Sequence, residues 1–189
     1  MKSFFPRVTM LAALLVLAPM VQAAEYKIDP GHSFVEFRVK HLGYSWLYGR
    51  FNKMSGSFSH DAAKPAANQI ALEIDMSSVD SNHAERDKHL RSDDFLDVQK
   101  NTSATFNSTA YSGNAEQGTL TGDLTLHGVT KSISIKVTKL GEGKDPWGGY
   151  RAGFAGTIIL DRRDFGIAKN LGSASWTVEM DLGIEGTRN

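Results

Sequence analysis

Histidine is the side chain of this sequence that most readily suggests a metal site or an acid–base catalyst, because a neutral imidazole binds metals and titrates near neutrality. No pair of histidines shows the His-x-His or His-x-x-x-His spacing that directs two imidazoles to one ion. The six positions are His32, His41, His60, His83, His89 and His127. We therefore predict no metal site and no cofactor, and interpret these residues as surface or hydrogen-bonding histidines.

Charged residues offer a second route to chemistry. Glu85 and Asp93-Asp94 could supply the paired carboxylates of a hydrolase, but we favour their interpretation as charges at the ends of a solvated helix. Four residues near strand ends, Arg151, Arg162, Arg163 and Asp164, could meet a ligand headgroup. A buried arginine among them could instead pair with Asp161 or Asp164. No Gly-x-Ser-x-Gly elbow, P-loop or Gly-x-Gly-x-x-Gly motif is present. We predict that the protein is not an enzyme, although a site assembled from distant residues stays open as an alternative.

Aromatic residues are more suggestive. Four of them, Tyr44, Trp46, Tyr48 and Phe51, lie close together in the chain, and Trp147 sits in a Pro-Trp-Gly-Gly turn. Such residues usually fill a core, and they also line apolar cavities. Periodicity alone leaves both interpretations open.

The elements that would position these residues are strands. Eight segments alternate apolar and polar side chains or show a weaker form of that pattern, which predicts strands with one buried and one wet face. They span residues 33–40, 49–59, 69–76, 104–111, 119–126, 131–140, 150–160 and 176–185. Eight antiparallel strands must close into a barrel or fold into a sandwich, and a closed barrel of that size can hold one small ligand.

One polar segment interrupts the strands. Residues 80–97 have no alternation, and Ser81 or Asn82 could cap a helix with Glu85 in its first turn. No apolar stripe forms along the segment. We predict a short exposed helix followed by a turn.

The amino terminus predicts export. Lys2 and Arg7 precede the apolar run Val8–Val21, and Val21 and Ala23 are small residues at the −3 and −1 positions of a cleavage site. We predict a cleaved signal peptide over 1–23 and one domain over 24–189. The run is short for a transmembrane helix, and no later segment is apolar enough to span a bilayer.

Charge and cysteine usage exclude several classes of partner. The 21 basic and 21 acidic residues cancel, and removal of residues 1–23 takes away Lys2 and Arg7 only, which leaves a net charge of −2. A protein that binds nucleic acid normally carries a basic excess, so we predict no nucleic-acid partner. With no cysteine, disulfides and a lipidated N-terminal cysteine are excluded.

Several blocks in order along the chain resemble the YceI-like family of exported bacterial proteins. They are His32–Gly43, Trp46–Phe51, His83–Leu96, Gly122–Lys131, Asp145–Gly149 and Arg163–Ile167. The resemblance implies an all-β fold, an eight-stranded antiparallel lipocalin-like barrel with a short helix between strands. It also implies a periplasmic location in a Gram-negative bacterium, no established catalytic activity, and a homodimer.

The resemblance further implies a long apolar channel that binds a polyisoprenoid, such as a prenyl quinone or polyprenyl compound, or another long-chain amphiphile. On the inward faces we expect the ligand-binding residues Phe37, Val39, Trp46, Phe51, Leu72, Ile74, Phe106, Leu124, Leu126, Phe154, Ile158, Phe165, Trp176 and Val178. The segment 49–59 is the least certain in face, because Phe51 and Phe58 have opposite parity. Two other hypotheses stay open: an enzyme acting on an isoprenoid or lipid, and a stress-response barrel without a bound lipid.

Overall fold

The computed structural model describes residues 23–188, so the predicted signal peptide lies outside the described residues except for Ala23. The strands are β1 (Ala24–Ile28), β2 (Phe34–His41), β3 (Ser45–Phe51), β4 (Met54–His60), β5 (Gln69–Asp75), β6 (Val79–Asp80), β7 (Ser103–Gly113), β8 (Gln117–Leu126), β9 (Val129–Lys144), β10 (Tyr150–Asp161) and β11 (Thr177–Arg188). The helix α1 spans Ala84–Leu90, and short 3₁₀ turns lie at Pro65–Ala67, Met76–Ser78, Arg162–Phe165 and Ser173–Ser175.

The sheet closes into a barrel of eight strands, two of which are interrupted. β1 and β2 lie end to end along β11, where Ile28 pairs with Gly186 and Phe34 pairs with Gly183. β3 and β4 lie end to end along β2 and β1. From β4 the order runs β5, β7, β8, β9, β10 and β11, and the ring closes because β1 pairs with both β11 and β4. The predicted eight-stranded antiparallel barrel with a short helix is confirmed.

The break between β3 and β4 resolves the uncertain face of this segment. Asn52 and Lys53 leave the ladder and bond instead to the 76–78 turn, with the amide of Asn52 donating to the carbonyl of Ser78 over 3.1 Å. The break shifts the alternation by one residue. Phe51 and Phe58 therefore both face the barrel interior despite their opposite parity in sequence.

A bulge in β9 has a similar effect near the other end of the barrel. Lys139 pairs with Phe154 and Gly141 pairs with Gly153, so Leu140 has no partner across the ladder. Leu140 is 72% exposed. Because of the extra residue, Lys139 and Glu142 come to one side of the strand, and their charged atoms lie 3.2 Å apart.

The helix α1 follows β6, which pairs with Arg50 and Phe51 at the end of β3. Its N-cap is His83, whose Nδ1 accepts the amide of Arg86 over 3.2 Å, and neither Ser81 nor Asn82 caps it as the sequence suggested. Ser81 instead donates its amide to the buried carboxylate of Asp87 over 2.8 Å. The α1 segment is thereby fixed across the barrel opening rather than extended into solvent.

Candidate functional site

The interior of the barrel contains two adjoining cavities. The larger, which we call the wide chamber, has a volume of about 1150 Å³ and lies at the α1 end. The smaller, the inner chamber, has a volume of about 160 Å³ and lies toward the opposite end. Both are lined by Val35, Ile74, Leu124, Leu160 and Met180, which we call the waist. These five residues lie where the two chambers adjoin, and we call the two chambers together the channel.

The wide chamber reaches the surface beside β3. Among the described residues, β3 pairs on its free side with the short β6 alone, through Arg50 and Phe51, so the wall of the barrel is incomplete there. Exposed residues line the chamber at this gap, among them Tyr48 and Leu171, which are 59% and 44% exposed. This gap is the mouth of the channel.

A glycine in β3 shapes the wall next to the mouth. Gly49 lies opposite Phe37, whose ring covers the glycine; a Cβ added there would lie 2.3 Å from the ring. Only glycine leaves room for the Phe37 ring in this position, and that ring packs against Phe51 at 5.7 Å between centroids.

Arg162 is a buried cation on the wall of the wide chamber. Its guanidinium donates to the carbonyls of Ser175 and Ile167, over 2.9 and 2.7 Å, and to that of Lys169. Burial lowers the pKa of Arg162. Asp161, the expected carboxylate partner of Arg162, pairs with Arg163 instead. The hydrogen bond from Arg163 holds the pKa of Asp161 at about 2. Arg162 therefore anchors the 166–175 loop through backbone oxygens.

The inner chamber has an aromatic floor and a polar corner. Phe58 stacks on the buried Tyr26 at 4.9 Å and meets Phe154 edge-on at 5.5 Å. His60 and Lys139 also line this chamber, so its inner end is not purely apolar.

The structure brings most of the residues expected at the site to the channel. The wide chamber is lined by Phe37, Val39, Trp46, Phe51, Leu126, Phe165 and Val178. The inner chamber is lined by Leu72, Phe106, Phe154 and Ile158, and Ile74 and Leu124 belong to the waist.

Two tryptophans are placed differently from this expectation. Trp176 lies outside the lining, because β11 begins only at Thr177 and the backbone of Trp176 is helical, so the alternation of the strand does not extend to it. Its ring lies under the guanidinium groups of Arg162 and Arg163, at 4.4 and 5.0 Å. Trp46 borders the wide chamber only at the mouth, because Leu47 pairs with the inward Val39 while Trp46 pairs with Lys40 on the opposite face of the sheet. Its ring is covered there by Arg38 at 4.8 Å.

Sequence reasoning missed two polar groups that line the channel, His60 and Lys139. A signal for His60 existed, since it has the same parity as the buried Met54 and Phe58. The signal for Lys139 was its position in β9, where the alternation of Ile135 and Val137 continues to residue 139 on the inward face. A buried charge is so costly that such a position is normally assigned to solvent.

The other candidate residues are held in surface ion pairs. Asp94 accepts from Lys169 and from His89, each over 2.8 Å. Asp29, His32 and Glu185 form a group that could in principle hold a metal ion, but the guanidinium of Arg151 bridges Asp29 and Glu185 over 2.7 and 2.6 Å. That arginine supplies the positive charge that a metal would bring. It also holds the pKa of Asp29 at about 2.

No helix within residues 23–188 is long and apolar enough to cross a membrane.

The fold and its interior define a class of protein, an eight-stranded antiparallel barrel with an apolar channel along its axis. The YceI-like domain matches residues 26–186, and the chain belongs to this family. A UPF0312 protein of Pseudomonas paraeruginosa is 56% identical over 180 residues, which cover 94% of each chain. A UPF0312 protein of Yersinia enterocolitica is 53% identical over 180 residues, again covering 94% of each.

Solved structures share the fold. A YceI protein of Campylobacter jejuni superimposes with a TM-score of 0.71 at 29% identity, covering 80% of this chain and 90% of that one. BcnA of Burkholderia cenocepacia has a TM-score of 0.74 at 22% identity, with coverages of 84% and 98%. A polyisoprenoid-binding domain of Saccharophagus degradans has a TM-score of 0.65 at 21% identity, with coverages of 89% and 100%. At 22% and 21% identity, the likeness to BcnA and to the Saccharophagus degradans domain concerns the fold alone.

Proposed function

We propose that this protein binds a long-chain amphiphile, with a polyisoprenoid such as a prenyl quinone or polyprenyl compound as the leading class, and holds the chain inside the barrel. The observation that carries the proposal is the pair of mainly apolar chambers that adjoin at the waist inside the barrel. Each methylene removed from water contributes about 0.8 kcal/mol, so a long chain can bind tightly without specific polar contacts.

A charged or bulky headgroup would stay at the mouth. Polar side chains line the wide chamber there, including Asn82, Arg86 and His89. The alternative, an exposed chain with a buried charged headgroup, would cost several kcal/mol in desolvation. The amphiphile would therefore enter with its chain leading when its headgroup is charged.

Membership of the YceI-like family and the shared fold of the Saccharophagus degradans domain support the polyisoprenoid class. The same membership supports a binding protein rather than an enzyme. Of the residues considered for catalysis, Arg163 and Asp164 are exposed and lie outside the channel lining, whereas His41, His60 and His89 belong to it.

We further propose that the protein is exported and acts as a carrier in the periplasm of a Gram-negative bacterium, where it would shield its ligand from water. The signal-peptide pattern of residues 1–23 supports this location. Cell fractionation and the intact mass of the purified protein test it. A mass corresponding to a chain that begins at Ala24 in the periplasmic fraction is expected, and an uncleaved cytoplasmic chain would contradict it. Light scattering of the same sample tests the homodimer.

Mass spectrometry of an organic extract from the natively purified protein is the direct test of the ligand class. We expect a co-purifying long-chain compound at a stoichiometric level. If no lipid co-purifies and no polyprenyl or alkyl compound binds the delipidated protein, the proposed function is wrong.

Two neighbouring isoleucines of β10 provide a matched control. Ile158 lines the inner chamber, whereas Ile159 points outward and is 65% exposed. We expect Ile158→Gln to weaken chain binding roughly tenfold, because a buried amide without partners costs about 1–3 kcal/mol. Ile159→Gln should bind like the wild type. Equal effects of the two substitutions would place the ligand outside the channel.

A further inference from the structure

The inner end of the channel contains a histidine that is not explained by packing. His60 is 5% exposed and lines the inner chamber. Its Nε2 is buried and makes no hydrogen bond within residues 23–188. The carboxylate of Glu142 lies 3.3 Å from Nε2, but the angles do not form a hydrogen bond. A buried polar atom left in this way is unusual in a folded protein.

The hydrogen-bond network assigns the proton of this imidazole. The side-chain oxygen of Asn68 accepts the amide of Asp61 over 2.7 Å, which turns the Asn68 amide group toward His60. That group donates to Nδ1 of His60 over 3.1 Å, so Nδ1 is an acceptor and carries no proton. Burial lowers the pKa of His60, which keeps the ring neutral near pH 7. The remaining proton is therefore on Nε2, and this buried N–H has no hydrogen-bond acceptor within residues 23–188.

The charges around His60 determine which kind of ligand oxygen could accept a hydrogen bond from this N–H group. Lys139 lies beside it, with its ammonium 3.2 Å from Glu142 and 3.7 Å from Glu116. Two carboxylates already neutralise the lysine, so a ligand carboxylate or phosphate would be repelled. A neutral carbonyl or hydroxyl oxygen would meet the Nε2–H without that repulsion.

We propose that His60 forms a hydrogen-bonding subsite for a neutral oxygen at the leading end of a bound chain. This inference rests on the proposed function, since it needs a chain in the channel. Long-chain alcohols and carbonyl compounds would therefore bind with the oxygen at the inner chamber. Ligands with a charged headgroup would bind in the opposite direction.

Two ligands of equal chain length test the subsite. Hexadecan-1-ol has a neutral oxygen, and hexadecylphosphocholine has a charged headgroup that would stay at the mouth. His60→Phe keeps an aromatic ring against Phe154, which the His60 ring meets edge-on at 5.3 Å. His60→Gln keeps a side-chain donor.

In titrations followed by displacement of a fluorescent chain probe, we expect His60→Phe to weaken hexadecan-1-ol roughly tenfold and hexadecylphosphocholine less than twofold. His60→Gln should recover much of the alcohol affinity. In the wild type, the ¹⁵N signal of Nε2 should shift on addition of the alcohol and stay in place with the phosphocholine.

If each ligand binds all variants with the same affinity as the wild type, the subsite is overturned while the proposed function stays intact. An unmoved Nε2 signal on saturation with the alcohol would do the same. If the wild type binds neither ligand, the subsite is overturned, while the proposed function is decided separately by the co-purified lipid and by polyprenyl binding. Thermal unfolding identifies any variant that fails to fold. In that case the shift of the wild-type Nε2 signal on addition of the alcohol decides whether the subsite exists.

Discussion

A bulky residue at the waist should cut the channel in two. Leu124 of β8 lines both chambers, and Leu124→Trp would place an indole where a chain must pass. Overpacking of a filled core costs about 1–3 kcal/mol. The wide chamber leaves room for the ring, so we expect a loss of stability near the lower end of that range.

The length of chain that is excluded follows from the strand geometry. Along β11, the waist residue Met180 and the inner-chamber residue Ile184 are separated by four residues, or roughly 13 Å of strand. The tilt of strands in a barrel reduces this to roughly 10 Å along the axis. With a C–C bond of about 1.5 Å and a zigzag chain, that distance holds about eight carbons.

A series of alkylphosphocholines of increasing length measures this distance by isothermal titration calorimetry. At about 0.8 kcal/mol per methylene, wild-type affinity should rise about fourfold with each added carbon until the channel is full. In Leu124→Trp the rise should stop about eight carbons earlier. Leu140→Trp, at an exposed position outside the channel, should leave the series unchanged. If the affinities of Leu124→Trp keep rising to the same length as those of the wild type, the chain does not pass the waist and the channel argument is refuted.

Three further predictions concern the walls and the surface charges. Phe154→Ala removes a ring that packs against Phe58 and lines the inner chamber, so we expect a loss of about 3–5 kcal/mol in urea unfolding together with a changed ligand profile; a loss of stability alone would favour a packed core without a ligand. Arg162→Met should leave three loop carbonyls without their donor and lower the free energy of unfolding by about 3 kcal/mol, with hydrogen exchange rising in the 166–175 loop; unchanged exchange there would contradict the anchoring role. The pKa values of Asp29 and Asp161 are about 2 in the folded protein, below the usual value of about 3.9, so their stabilisation should be complete above pH 4 and lost as the pH falls toward 2; Arg151→Gln should reduce this acid sensitivity in urea titrations, and an identical pH profile would count against the pairing.

Much of the barrel wall could be predicted from alternation. In β2 the sequence assigns Val35, Phe37 and Val39 to one face, and in β8 it does the same for Leu124 and Leu126; the structure places all five along the channel. The inference works because successive side chains of a strand point to opposite faces, which is a property of the local backbone.

The same rule fails where the backbone leaves the regular strand. At Asn52-Lys53 and at Leu140 an interruption shifts the phase by one residue, and at Trp176 the strand has not yet begun. Each irregularity is stabilised by contacts with residues distant in sequence, such as the bond from Asn52 to Ser78. Alternation within one segment carries no information about them.

The sequence by itself determined the eight-stranded all-β class and most of the inward faces, because both follow from local periodicity. The tertiary structure alone decided that two chambers adjoin at a waist and that the mouth lies beside β3. It also decided that His60, Lys139 and Glu142, from β4 and β9, meet at the inner end. Empty space and buried polar clusters depend on how distant strands close around the axis, and no single segment specifies that closure.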